Sequence, residues 1–271
     1  MEAPYTRRLF SFIPMHFLIQ SNIYSDPDHY RIFDVMDELG YSYEHIHLEN
    51  EITELVVETN RKDVFVYGSV RLARLAKEKT EWTPGSFYGG NHNYEAHASA
   101  YGDGLLNYGA RIARFGDELN WEEGSEKFIK PFNEAKLFTG KCFSKTKWEH
   151  FVNEAISAPK TERLNANTLI LVAKPAYIQK EARLWIVGGK VITSVYYKFN
   201  GDTPFETTVP PEGIAFAEEM MNRFEVAPAY VMDIGWTVEG WKIVEVNCIN
   251  SAGFYHANPK PVFKALELFF G

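Results

Sequence analysis

Residues 1–90 alternate between two hydrophobic rhythms. Positions 15–20 are apolar in the manner of a strand, and Ile32, Val35, Met36 and Leu39 recur at helical spacing. Asp26-Pro27 predicts the start of that helix and Gly40 its stop. Positions 43–48 alternate like a second strand and 63–67 like a third. A helix carrying Val70, Leu72, Leu75 and Ala76 follows Gly68-Ser69. Strand and helix in alternation predict a small α/β unit with a parallel sheet. Gly68-Ser69 falls where a strand gives way to a helix. Free amides there bind anions, although such turns also carry Gly-Ser for backbone reasons alone.

The rhythm is lost over 82–120, which is rich in Gly, Tyr, His and Asn. His92, His97, Tyr88, Tyr94 and Tyr101 either line a substrate pocket or pack between domains, and packing is the more ordinary role. Beyond it, 128–131 reads as a strand ending in Lys130-Pro131, followed by a polar loop with Lys136, Gly140 and Lys141. Glycine lets backbone amides approach phosphate, and lysine adds a mobile charge. Positions 144–156 predict a helix with Thr146 and Glu149 as a capping box. Its apolar face is Trp148, Phe151, Val152, Ala155 and Ile156. A buried-type strand, 168–174, runs into a linker at Pro175. Two strands follow, 181–187 and 191–198, joined at Gly188-Gly189. Glu181 and Arg183 share one face of the first, and Lys198 closes the second. These three form a salt-bridge network, or they hold ribose hydroxyls and phosphates. Pro211 opens a helix that buries Phe216, Ala217, Met220 and Phe224, and 261–270 is a final amphipathic helix.

The stretch 230–255 reads as two strands and a tight turn at Glu239-Gly240. A three-residue loop of Val238, Glu239 and Gly240 would pair Thr237 with Trp241 and set Asp233 opposite Glu245. Asn247 then falls on the same face, and Met232, Ile234, Val244 and Val246 on the other, toward a core. Two carboxylates and an amide suit a hard cation such as Mg²⁺. Like charges facing each other on a sheet also need something to offset them. The loop 248–258 leaves this hairpin directly.

Composition narrows the class. The chain has 271 residues, 45% hydrophobic and 24% charged, as in a globular protein of one large or a few smaller units. A net charge of -8 argues against non-specific nucleic-acid binding. Cys142 and Cys248 fit no metal or redox spacing and suggest reduced, partly buried thiols in a cytoplasmic protein. The apolar run 9–19 is broken by Pro14 and His16, so it reads as a strand rather than a membrane span or signal segment.

The order of these pieces resembles the ATP-grasp superfamily over 127–255, and the N-terminal α/β unit resembles its pre-ATP-grasp domain. The motifs at 136–140, 181–186, 245–247 and 251–255 look like a clade of uncharacterised ATP-grasp proteins from bacteria and their phages. The resemblance implies an α/β (α+β) fold. A pre-ATP-grasp domain spans 1–115, a small lobe with the lysine loop 116–174, and a metal and phosphate lobe 175–271. It implies ATP and Mg²⁺ as cofactors, with Mn²⁺ as an alternative. Lys130 would contact phosphates, with Lys136 or Lys141 from the loop and Lys136 preferred. The backbone of Leu171, Val172, Ala173 and Lys174 would read adenine. Glu181 would bind ribose, Arg183 and Lys198 would face the γ-phosphate or an acyl-phosphate, and Asp233, Glu245 and Asn247 would hold Mg²⁺. Asn250, Ser251, Gly253 and Tyr255 would meet substrate. One departure is an upstream ATP-binding lysine, for which this chain offers only Arg111 or Arg114. The implied activity is ligation of a small-molecule or peptide carboxylate to an amine, less often a thiol, through an acyl-phosphate. The alternatives are a small-molecule kinase and a non-catalytic ATP-binding module.

Overall fold

The computed structural model describes residues 14–23, 28–49, 54–132, 137–157, 164–199 and 208–271. The contacts gather these into two compact units, 1–88 with 248–271, and 89–247. These boundaries differ from the expected cuts at 115 and 174. The strand at 111–114 pairs inside the second unit, and the last 24 residues return to the first.

In the first unit, β1 (His16–Gln20) is the middle strand of a parallel sheet. It lies between β2 (Tyr43–Ile46) and β3 (Val64–Tyr67). Helix α1 (Arg31–Leu39) connects β1 to β2, and the predicted stop holds. Gly40 takes φ 65°, a left-handed conformation that glycine adopts without a Cβ penalty. The predicted start at Asp26-Pro27 lies outside the described residues. Helix α2 (Val70–Lys79) follows β3, capped by the Ser69 hydroxyl, which accepts from the Leu72 amide at 3.2 Å. Leu18, Val64, Val66, Leu72 and Ala76 form its apolar core. The backbone reading of Gly68-Ser69 is the one observed. The Ser69 amide donates to Gln20 Oε1 at 2.9 Å and the Gly68 amide to the Asn250 carbonyl at 2.8 Å, so neither is spare for an anion.

The second unit opens with α3 (Tyr94–Tyr101), capped by Asn93, and builds two antiparallel sheets. The first contains β4 (Arg111–Arg114), β5 (Glu126–Pro131), β6 (Lys141–Ser144) and β7 (Leu169–Ala173), in the order β4-β7-β5-β6. Helix α4 (Lys145–Ser157) belongs to the same core, in which Trp148 meets Ala113, Ile129, Phe143, Ile170 and Val172. Two expectations fail here. Ile156 is 45% exposed, so the apolar face of α4 stops at Ala155, and Leu169 is 41% exposed on what read as a fully buried strand.

The second sheet contains β8 (Ile178–Val187), β9 (Lys190–Phe199), β10 (Ala229–Thr237) and β11 (Gly240–Cys248), in the order β11-β10-β8-β9. Helix α5 (Pro211–Arg223) buries Ala217 and Met220 against Ala182, Leu184, Ile186, Tyr230, Met232 and Ile234. Phe216 and Phe224 are only half-buried at its margin. The β10–β11 turn is tighter than the expected three-residue loop. Val238 and Glu239 alone make it, and the Glu239 amide donates to Thr237 Oγ1 at 3.1 Å. Trp236 and Trp241 then pack ring to ring at 5.3 Å. Ile243 and Val246 both enter the core although three positions apart, so β11 carries an extra residue between them. Val244 is displaced from the core and its Cγ2 lies over Gly235.

After β11 the chain re-enters the first unit and ends in α6 (Lys260–Phe270), which buries Val262, Phe263 and Leu266. No helix among the described residues is long and apolar enough to cross a membrane.

Candidate nucleotide and metal site

Strand alternation in β8 and β10 gives one face of the second sheet to the helix-covered core, while the other carries Glu181, Arg183 and Asp233 beside the buried Trp185 and Val231. Arg183 and Asp233 are direct register partners on that second face. Arg183 donates from Nε to Asp233 Oδ1 at 2.8 Å and from Nη2 to Oδ2 at 2.7 Å, a bidentate pair. Asp233 is 1% exposed. Burial pushes its carboxyl up from the ordinary range, Arg183 pulls against this, and the nearby Glu245 adds to the rise.

The shorter turn does not scatter the expected metal set. Asn247 Nδ2 lies 3.4 Å from Asp233 Oδ2 and 3.3 Å from Glu245 Oε2, so all three side chains meet. The extra residue in β11 restores what the shorter turn takes away. Asp233, Glu245 and Asn247 therefore fit a hard cation by donor chemistry. Among the described residues no three His, Cys, Asp or Glu cluster for a metal, and the third donor here is an amide.

Glu181 is also buried, at 7% exposure. Lys198 Nζ donates to its Oε1 at 2.9 Å, and the Tyr197 hydroxyl to its Oε2 at 2.8 Å. Glu181, Arg183 and Lys198 thus stand together as the sequence pattern anticipates, while Tyr197 is a member that the pattern misses. Burial raises the Tyr197 phenol above its ordinary value, with Asp233 and Glu181 adding to the rise.

In the first sheet of this unit the register sorts the cationic candidates. Lys130 pairs with Leu171 and Leu171 with Ile112, so these share a face. Arg114, opposite Leu169, is on that face too. Arg111 pairs with Val172 on the opposite, α4-side face, where it lines a cleft with Leu119 and Lys127. Of the two arginines, Arg114 shares the face of Lys130 and Arg111 does not. Lys141 pairs with Ile129 and lies 5.0 Å over the Phe143 ring, on the face away from Lys130. Lys136 lies outside the described residues. Gly140 is a close-approach glycine, since a Cβ there would stand 2.8 Å from Lys130 Cβ.

The pairing also separates the residues of the stretch expected to read adenine. Leu171 and Val172 are paired on both sides, by β4 and by β5. Their backbone groups serve the sheet. Ala173 pairs only with β5, so Ala173 and Lys174 are where backbone groups face outward.

Two histidines that the sequence left ambiguous belong to this neighbourhood. His92 Nδ1 donates to the Gly89 carbonyl at 2.9 Å, which leaves Nε2 the acceptor. Burial lowers His92, and the Asn247 backbone is among the groups that act on it. Burial, with contributions from His92 and Lys130, holds His97 down to about 4. His97 Nε2 is buried without a hydrogen-bond partner among the described residues.

The expected substrate residues belong to the first unit. Asn250 is fully buried, and its side chain is spent on structure. Nδ2 donates to the Val66 and Gly85 carbonyls at 2.7 and 3.2 Å, and Oδ1 accepts from the Phe87 amide at 2.9 Å. Asn250 thereby pins the loop. Tyr255 is 39% exposed and takes a left-handed φ of 51°. The cysteines are free. Cys142 is exposed, against expectation, and burial pushes the Cys248 thiol up to about 12.

The fold has counterparts. No curated protein matches this chain in sequence. A RimK domain protein of ATP-grasp type from Sphaerobacter thermophilus superposes with a TM-score of 0.62 at 14% identity, covering 94% of this chain and 99% of the other. A D-alanine--D-alanine ligase from Bacillus anthracis gives 0.57 at 11% identity, covering 88% of each chain. The macrocyclase MdnC from Microcystis aeruginosa, bound with precursor peptide MdnA, gives 0.53 at 11%, covering 94% and 99%. Identity this low shows a shared fold. A family model for the ATP-grasp domain, the third family of its clade, matches residues 44–266. With most of its length matched, the chain belongs to the ATP-grasp family.

Proposed function

We propose that this protein is an ATP-dependent ligase that joins a carboxylate to an amine, or less often a thiol, with release of ADP and phosphate. One observation carries the reading. Glu181, Arg183 and Lys198 share one sheet face with Asp233, Glu245 and Asn247, so ribose, phosphate and cation chemistries sit side by side.

In this reading Ala173 and Lys174 present backbone groups to adenine, and Glu181 accepts from the ribose hydroxyls. Lys130, Arg114, Arg183 and Lys198 neutralise the triphosphate. Glu245 and Asn247, with Asp233 behind them, hold Mg²⁺ or Mn²⁺. A bound divalent cation supplies charge neutralisation of the phosphates. The acid's carboxylate oxygen attacks the γ-phosphorus and ADP leaves, giving an acyl-phosphate. The amine nitrogen then attacks the acyl carbon, phosphate leaves with the C–O electron pair, and the nitrogen loses a proton. Positioning and charge stabilisation do this work, so no covalent protein nucleophile is called for. The fold relatives include a D-alanine--D-alanine ligase and a macrocyclase bound with a precursor peptide, which supports a small-molecule or peptide acid and amine. Ser251, Gly253 and Tyr255 are the residues proposed to meet them.

The test is ATP turnover with Mg²⁺ and hydroxylamine against pooled carboxylic acids, for wild type and Glu245→Gln. Hydroxamate from wild type alone is expected. ATP consumed with a stable phosphorylated product and no hydroxamate would make the protein a kinase. ATP bound without turnover on any acid would make it a binding module.

A further inference from the structure

Tyr197 owes its position to an irregularity in β9. Glu181 pairs with Lys198 and the next residue, Ala182, pairs with Tyr196. Three residues of β9 thus span two of β8, and Tyr197 is the extra one. In a regular strand Tyr197 and Lys198 would face opposite sides. Here Tyr196 enters the core, while Tyr197 and Lys198 both reach Glu181. A bulge of this kind re-aims a side chain at the expense of regular pairing.

We propose that Tyr197 is a positioning residue for nucleotide recognition, fixing the Glu181 carboxylate toward the ribose hydroxyls and bracing Arg183. The proposal rests on the reading of Glu181 as the ribose-binding residue. Lys198 and Tyr197 take one oxygen of Glu181 each, at 2.9 and 2.8 Å. A carboxylate oxygen has two lone pairs, so each keeps an acceptor position for a ribose hydroxyl. With both oxygens tethered, the carboxylate plane cannot rotate. A phenol is also a suitable second tether because it donates without cancelling the carboxylate charge, and burial keeps it protonated. The same ring carries the Arg183 guanidinium at 5.7 Å, within cation–π range. Tyr197 therefore touches the proposed ribose residue and the proposed phosphate residue at once.

The experiment compares equilibrium binding of ATP, 2′-deoxyATP and 3′-deoxyATP, with Mg²⁺, to wild type, Tyr197→Phe and Glu181→Gln, with melting temperatures alongside. Wild type is expected to prefer ATP, and Glu181→Gln to lose the preference. Tyr197→Phe keeps the ring and removes the hydroxyl. It is expected to weaken ATP about tenfold, the scale of one hydrogen bond to a charged group, while the deoxy analogue lacking the contacted hydroxyl changes little. A lower melting temperature with the preference intact would make Tyr197 merely structural and overturn the proposal. No preference in wild type, or a preference that survives Glu181→Gln, would instead overturn the ribose reading of Glu181 and the proposal with it.

Discussion

The pairing of Arg183 with Asp233 is the tightest charged contact at the site, and its energetics are lopsided. Two charges withdrawn from water stabilise little as a pair, yet either one alone is an uncompensated buried charge. Asp233→Leu or Arg183→Met is expected to cost about 3–5 kcal/mol, and the double variant Arg183→Met/Asp233→Leu much less than the sum. Urea denaturation of the four proteins measures this, and additive losses would show the pair to be energetically uncoupled. His97 carries a different liability. Its folded value of about 4 lies below the ordinary 6.5, because burial disfavours the charged ring. Between these values the unfolded chain binds more protons than the folded one. Stability is therefore complete above pH 6.5 and is lost as pH falls toward 4, by up to about 3 kcal/mol. Stability curves of wild type and His97→Gln across that window are expected to differ in slope, with the variant flatter. Equal slopes would contradict a neutral buried His97.

Among elements, β8 to β11 show how irregularity and function coincide. Gly235 lies between β8 and β11 with almost no room. A Cβ there would stand 2.7 Å from Ile178 Cγ2 and 2.9 Å from Val244 Cγ2. Gly235→Ala is expected to destabilise by about 1–3 kcal/mol, the usual cost of overpacking. Because Gly235 is two residues from Asp233, cation affinity is expected to fall as well. Thermal melts with and without Mn²⁺ check both effects, and an unchanged melting temperature would mean that the neighbours yield freely. The pattern of β8 and β10 was readable because these strands pair without a break from Ala229 with Val187 to Trp236 with Lys180. β9 and β11 were not, because β9 holds two extra residues against β8 and β11 holds one, which side-chain alternation cannot reveal. The count from Asp233 to Glu245 assumed a three-residue loop. The turn has two, and the extra residue in β11 makes up the difference.

At the scale of the whole molecule, a ligand that binds the folded state alone raises its stability by mass action. ATP with Mg²⁺ at about a hundred times its Kd is expected to add roughly 2.7 kcal/mol. Glu245→Gln is expected to lose the part of that increment that depends on the metal while keeping its ligand-free stability. Calorimetric melts with ATP, Mg²⁺ and both together separate the terms. An increment indifferent to Mg²⁺ in wild type would count against the proposed donor set.

The sequence by itself determined the order of elements, the apolar faces of most helices and the identity of the charged residues that meet. It could do so because helical and strand periodicities are local, and Glu181, Arg183 and Asp233 lie on strands whose faces follow from short-range alternation. The tertiary structure alone decided which strand partners stand opposite. That placed Lys141 on the face away from Lys130, closed the backbone of Leu171 and Val172 inside a sheet, spent Asn250 on the carbonyls of Val66 and Gly85, and turned Tyr197 onto Glu181. Register and burial are set by residues far apart in the chain, so no local pattern encodes them.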